Sequence, residues 1–167
     1  RLGCDGKMLE ILKKAGFKTI KTTPAIVQIK TETDIVKQLK GVKIDANATL
    51  LAEGKKLRTD FGEVLFTDYG LSGPAIMQIS RLIGKGDKTY TVSLDLLPNF
   101  SLSQVEDMLL KRCENFKNRS CEEFLTGMLN KRLGQTVLKE CNISLSQSAF
   151  KIKDKIYGKL NLEEIIE

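Results

Sequence analysis

The 167-residue sequence has no histidine and no tryptophan, and aromatic residues make up only 6% of it. Without an imidazole, neither a Ser-His-Asp nor a Cys-His nucleophile relay can be assembled from this chain. The zinc sets that combine cysteine with histidine are excluded on the same ground. The four cysteines, Cys4, Cys113, Cys121 and Cys141, form no C-x-x-C pair, so no metal centre is expected. Cys113, Cys121 and Cys141 fall among apolar residues at helical spacing and read as buried thiols, whereas Cys4 lies in a glycine-flanked loop. Thiols of this kind suit a reducing, cytoplasmic setting. No run of about 18 apolar residues is present, so no membrane-spanning helix is expected. A basic head followed by an apolar stretch, the mark of a secretory leader, is missing too.

Charge is present, but it is dispersed. Lys and Arg number 27 against 21 Asp and Glu, a net charge of +6. The first 60 residues hold 13 of the bases and 7 of the acids, and the remainder is close to balance. Nucleic-acid binders concentrate Lys and Arg on one face, with aromatic rings interleaved. Few aromatics and no dense basic run leave a mildly basic, solvated surface, and nucleic acid is not the expected partner.

Periodicity divides the chain. Asp5 is placed as the N-cap of a first helix carrying Met8, Leu9, Leu12 and Ala15 on one face, with Gly16 as its stop. From Pro24 the period shortens. Val27 and Ile29 alternate with polar neighbours, and Val42, Ile44, Ala46, Ala48, Leu50 and Ala52 form a long half-buried strand. Glu53-Gly54-Lys55-Lys56 makes a hairpin turn into a strand from Leu57. Tyr90, Val92, Leu94 and Leu96 make another strand, ended by Pro98. Residues 25–100 thus predict a small β-barrel with one inserted helix near 73–83.

After residue 100, helix starts take over. Ser101-Leu102-Ser103-Gln104 is a capping box with Phe100 and Val105 placed as a staple across it. Ser120 with Glu123, and Ser144 with Gln147, repeat the pattern, and Leu133, Val137, Leu138 and Cys141 share a face. A helical bundle of three or so members is expected over 101–167. The fold class is therefore α+β, a barrel followed by a bundle. Asn161 and Glu164 start one more helix that has a single turn of sequence after it. With no initiator methionine at Arg1, this leads to the expectation of an excised piece, with 1–24 as the junction and the C-terminus truncated.

Several chemical patterns can be set aside. Gly84-Lys85-Gly86 lacks the earlier glycine of a P-loop and precedes a strand, so it reads as a surface turn. Gly3 and Gly6 follow no strand and make no dinucleotide fingerprint. Glu106 with Asp107, and Glu122 with Glu123, lie in first helical turns, where they complement the helix dipole. The segment Thr67-Asp68-Tyr69-Gly70-Leu71-Ser72-Gly73-Pro74 is more informative. It leads from strand to helix, with Ser72 or Gly73 as N-cap and Pro74 in the first turn. Gly70 and Gly73 permit close backbone approach. Free N–H groups and Ser72 at such a start can hold an anionic or carbonyl group. A plain strand-to-helix turn accounts for the same residues, and both readings stay open.

The longer run Gly62-Glu63-Val64-Leu65-Phe66-Thr67, followed by Gly70-Leu71-Ser72-Gly73-Pro74-Ala75-Ile76, resembles the signature of the YhiN/BaiN-like family. These are bacterial FAD-dependent oxidoreductases, also described as aminoacetone-oxidase-like flavoproteins. Gly3-Cys4-Asp5-Gly6, Pro24-Ala25-Ile26-Val27, Asp95-Leu96-Leu97-Pro98 and Lys131-Arg132-Leu133 extend the resemblance along nearly the whole chain. It implies a discontinuous flavoprotein whose FAD-binding domain comes from the two chain ends, with a barrel and helical bundle inserted between them. The present chain resembles that insert, a substrate cap of an NAD(P)H-linked enzyme. By implication FAD belongs to the parent protein, no FAD complex is expected for this piece alone, and no catalytic residue is assigned to it. Residues 67–74 are the candidates to face a small-molecule substrate, and Asp5 and Gly6 mark the junction with the FAD-binding domain. Dimerisation and nucleic-acid binding are the alternative roles. Asp68 stands where the family usually has histidine, so proton shuttling near neutral pH is in doubt. A carboxylate replaces it only as an acceptor, or as an acid if burial raises its pKa.

Overall fold

The computed structural model describes residues 5–20, 22, 24–31, 34–84 and 88–153. Cys4 and the helix start at Asn161 lie outside the described residues. The first helix, α1 (Lys7–Lys14), has Gly6 and not Asp5 at its N-cap, in the left-handed conformation. Asp5 Oδ1 instead accepts from the Lys7 N–H at 3.1 Å, capping from one residue further out. The expected stop is present. Gly16 has φ of 85°, and the N–H groups of Gly16 and Phe17 reach back to the carbonyls of Lys13 and Leu12 at 3.1 and 3.0 Å, the double closure of a glycine-ended helix. No residue of α1 is buried.

Five antiparallel strands follow. They are β1 (Ile29–Lys30), β2 (Lys43–Ala52), β3 (Lys55–Phe66), β4 (Gly70–Ser72) and β5 (Tyr90–Asp95), with α2 (Asp34–Gln38) and α3 (Pro74–Ser80) between them. Their spatial order is β1-β4-β3-β2-β5, a curled half-barrel. The strand expected from residue 25 is only two residues long. Ile26 takes a positive φ of 55°, which breaks the extended run, and the Val27 N–H turns to Ser80 Oγ at 3.1 Å. The β2–β3 hairpin turns on Glu53 and Gly54, both at positive φ, the geometry whose twist matches that of paired strands. β3 therefore begins at Lys55, and Leu57 is the extra residue of a bulge, because Leu50 pairs with Arg58 and Leu51 with Lys56.

The alternation read from the sequence sorts the two sheet faces. Ala46, Ala48, Leu50, Val64, Phe66, Val92 and Leu94 are buried. Together with Ala75, Ile76 and Ile79 of α3 they belong to one apolar core. The other face carries polar cross-strand pairs, Thr49 Oγ1 with Thr59 Oγ1 at 2.7 Å and Asn47 Nδ2 donating to Asp95 Oδ2 at 3.3 Å, the sort of pairing that fixes register.

The helical half contains α4 (Leu102–Asn115) and α5 (Lys131–Glu140). The Ser101–Gln104 capping box forms in both directions, and Asn130 caps α5 by accepting from the N–H groups of Arg132 and Leu133. Among the described residues, two of the expected helices do not form where their caps were placed. Ser120 opens only a 3-10 turn, Cys121–Glu123, and makes no side-chain cap bond. Ser144 bonds Ser146 Oγ at 2.9 Å, and the next turn, Ala149–Ile152, is capped by Ser148. The reason is competition from tertiary pairing: Ser120 bridges to Ser148, and the Cys121 N–H is taken by the Gln147 carbonyl at 2.9 Å. Cys113 and Cys121 are buried in this half. Burial pushes the Cys113 thiol up to about 11 and raises that of Cys121, so neither is a poised nucleophile. Cys141 is half-buried. No helix among the described residues is long and apolar enough to cross a membrane.

Candidate functional site

The signature turn is built by the chain bonding to itself. Thr67 Oγ1 donates to the Gly70 carbonyl at 2.8 Å and accepts from the Gly70 N–H at 3.1 Å. The Thr67 N–H also reaches the Gly70 carbonyl, at 2.8 Å. These bonds close a tight loop whose tip is Asp68 and Tyr69. The Tyr69 carbonyl accepts from the Thr31 N–H at 3.1 Å, which ties the tip to the end of β1.

The two glycines have a close partner, and it is the protein's own backbone. A Cβ on Gly70 would lie 2.0 Å from the Ile29 carbonyl oxygen. One on Gly73 would lie 2.3 Å from the Glu63 carbonyl oxygen, and Gly73 has φ of 103°. Gly70 lets β4 lie against β1, and Gly73 lets the chain leave β4 for α3 across β3. Gly73 holds the N-cap position, without a side-chain cap bond, and Pro74 is the first residue of α3. Ser72 does not cap the helix. It pairs with Leu65 inside the sheet and is buried, as is Leu71. Of residues 67–74, Asp68, Tyr69 and Pro74 are exposed, Tyr69 to 43%.

Asp68 has a cationic neighbour that the local sequence does not announce. Lys40 Nζ lies 2.9 Å from Asp68 Oδ2, held there by the turn after α2. In that turn the Gly41 N–H donates to the Phe66 carbonyl at 2.8 Å, and the Phe66 N–H donates to the Val42 carbonyl at 3.0 Å. The hydrogen bond from Lys40 lowers the pKa of Asp68 below the usual carboxylate value. Of the two roles open to a carboxylate here, the acceptor is the one this environment supports. Arg132, at the start of α5, donates to the Lys40 carbonyl at 3.2 Å and to the Gln38 carbonyl. A short relay thus runs from α5 through Lys40 to the tip of the signature turn. Lys40 and Arg132 are separated by 92 positions in sequence, and no local pattern links them.

The junction residues lie apart from this turn in the chain; Asp5 is exposed and Gly6 is half-buried. Asp5 pairs with Lys7 Nζ at 3.0 Å, which lowers its pKa, and Gly6 supplies the left-handed N-cap of α1. An open groove of about 430 Å³ beside α1 is lined by Leu9, Lys13, Thr19, Ile20 and Thr22. In the helical half, an enclosed space of about 10 Å³ lies among Leu97, Leu109, Phe124 and Leu138, room for one water at most.

Comparison with known proteins places this architecture. The family model described as the HI0933-like protein barrel and H2TH domain matches residues 23–162. The 3-dehydro-bile acid delta(4,6)-reductase of Clostridium scindens is 33% identical over 155 residues, covering 91% of this chain and 38% of that protein. The ribosomal RNA dihydrouridine synthase of Haemophilus influenzae is 29% identical over 134 residues, 79% of this chain and 31% of its own length. The chain thus spans well under half the length of these relatives. The YhiN/BaiN-like resemblance carried by Gly62 to Ile76 and the α+β barrel-plus-helices fold are both borne out. The chain belongs to the HI0933-like family and carries its barrel and H2TH domain.

Proposed function

We propose that the chain is the inserted cap of a flavin-dependent oxidoreductase, docking on a FAD-binding domain of the same polypeptide and not catalytic by itself. The observation that carries this reading is the apolar face of α1. On α1, Met8 is 64% and Ile11 58% exposed, and Leu9 and Ile20, the latter 88% exposed and beyond the helix, line an open groove beside it. An amphipathic helix with no buried residue is stable only when its apolar face has a partner. An oxidoreductase that is 33% identical and more than twice as long supports a domain of the same protein as that partner.

In this reading the FAD site belongs to the other domain. What this chain contributes is positioning and exclusion of water. The Asp68–Tyr69 tip, braced by Lys40 and β1, is the part of the signature able to touch a substrate, with Asp68 as a fixed anionic acceptor and Tyr69 as an apolar wall with a hydroxyl.

In the intact protein, Met8→Lys with Ile11→Lys is expected to lower FAD content and oxidoreductase activity together. Tyr69→Ala is expected to leave FAD bound and to reduce kcat/KM about tenfold, a loss of ~1.4 kcal/mol. Full flavin content and unchanged kinetics in both variants would remove the docking role and the tip from the reading.

A further inference from the structure

Two braces hold the Asp68–Tyr69 tip, and they differ in kind. On the β1 side the brace is a backbone bond, from the Thr31 N–H to the Tyr69 carbonyl at 3.1 Å. Among the described residues the buried Thr31 hydroxyl finds no partner, so the Thr31 side chain does not reinforce that brace. On the other side the brace is Lys40, whose Nζ lies 2.9 Å from Asp68 Oδ2. Its side chain is 63% exposed and that of Asp68 58%. An ion pair between two free surface chains contributes little, because the cost of ordering a long lysine offsets most of the attraction. The pair therefore holds the tip only as firmly as Lys40 is itself held.

The backbone of Lys40 is fixed on both sides. Leu39 before it is buried, and the Gly41 N–H after it donates to the Phe66 carbonyl at 2.8 Å. Arg132 then grips the turn, one guanidinium donating to the carbonyls of both Gln38 and Lys40. Arg132 is placed in turn by its own helix. Its N–H donates to Asn130 Oδ1 at 3.0 Å, and its carbonyl accepts from Thr136 Oγ1 at 2.9 Å. The next residue, Leu133, is buried. A guanidinium on a fixed backbone, spanning two carbonyls, is a rigid support.

We propose that Arg132 and Lys40 are positioning residues for the signature turn. Arg132 fixes the 38–40 turn, and Lys40, so fixed, holds Asp68 and with it Tyr69 in one orientation. Both act through the tip and neither meets the reacting atoms. The inference rests on the reading that this tip faces a substrate, and deepens it by naming the residues that present the tip.

The test uses the intact protein with chymotrypsin as the probe, and reads cleavage of the Tyr69–Gly70 bond by mass spectrometry under native conditions. Cleavage of a folded chain tracks the population in which that site is open. Lys40→Met and Arg132→Met are each expected to raise the rate about threefold, the scale of a well-placed surface ion pair. Together they are expected to raise it about threefold still, because they remove the same brace. A double variant near the product of the two singles would overturn the proposal in favour of independent contacts. Lys40→Arg, which keeps a cation within reach of Asp68, is expected to restore the native rate. Arg132→Lys is expected to behave as Arg132→Met, and native cleavage in it would overturn the forked grip. Ser101→Ala, a cap change of comparable cost outside this set of contacts, is expected to leave the rate within about 1.5-fold. An equal rise there would overturn positioning in favour of general loosening. Flavin absorbance of the same samples separates the two readings. Normal FAD content with unchanged Tyr69 cleavage in Lys40→Met and Arg132→Met would overturn this inference alone, whereas the expected cleavage pattern in a protein that binds no FAD would overturn the oxidoreductase reading beneath it.

Discussion

At the scale of single residues, Gly70 and Gly73 decide whether the signature turn exists. A methyl group 2.0 or 2.3 Å from a carbonyl oxygen has no accommodating rotamer, so strands must separate. Gly70→Ala and Gly73→Ala are each expected to cost on the order of 4 kcal/mol or to prevent folding, measured by urea denaturation. Ser72→Ala between them adds no atom and is expected to cost far less. Asp68 makes a different prediction. Its pKa is depressed, so its pairing with Lys40 contributes above the unfolded carboxylate value, and the contribution is lost as pH falls through the lower folded value. Asp68→Asn is therefore expected to leave the pH–rate profile of the intact protein unchanged between about pH 5 and 9. Asp68→His introduces an imidazole beside Lys40, whose cation opposes a second positive charge. Its pKa is expected below ~6.5, read by NMR titration. What the sequence revealed here was the turn and its glycines. What it did not reveal was that the close approach is chain on chain, since the contacting carbonyls lie on β1 and β3.

At the scale of elements, caps that are purely local were legible and caps that compete with tertiary bonds were not. Ser101 and Gln104 close their box with bonds confined to three residues, so sequence spacing was sufficient. Ser120 has the same spacing to Glu123, yet its segment bonds across to 147–148, a preference no window around residue 120 contains. The long strand β2 was legible because Ala46, Ala48 and Leu50 alternate with polar residues. The strand at 25–30 was shortened by the positive φ of Ile26, which nothing in a β-branched residue announces. Ser101→Ala and Asn130→Ala are each expected to lower stability by ~1 kcal/mol, checked by thermal melts. A corresponding Ser120→Ala change, at a serine that makes no cap bond, is expected to cost measurably less.

For the whole molecule, the passage from strands ending at Asp95 to helices from Leu102 was legible from the change of period near residue 100, but the bonding between the two stretches was not. Arg132 supplies part of it, donating from the first turn of α5 to the carbonyls of Gln38 and Lys40. Arg132→Met is expected to cost about 1–2 kcal/mol, and Arg132→Lys is not expected to restore it, because an ammonium cannot span both carbonyls as a planar fork does.

That fork also sets which parts of the protein breathe together. Amide hydrogens in β4 and in α5 should exchange with deuterium at rates set by a shared opening event, although neither element is next to the other in sequence. Replacing Arg132 with Met should split that event in two, with the loop at Asp68 opening well before the centre of α5. Tension on a ligand held at Tyr69 would then be relieved locally, whereas in the native protein it reaches the helical half.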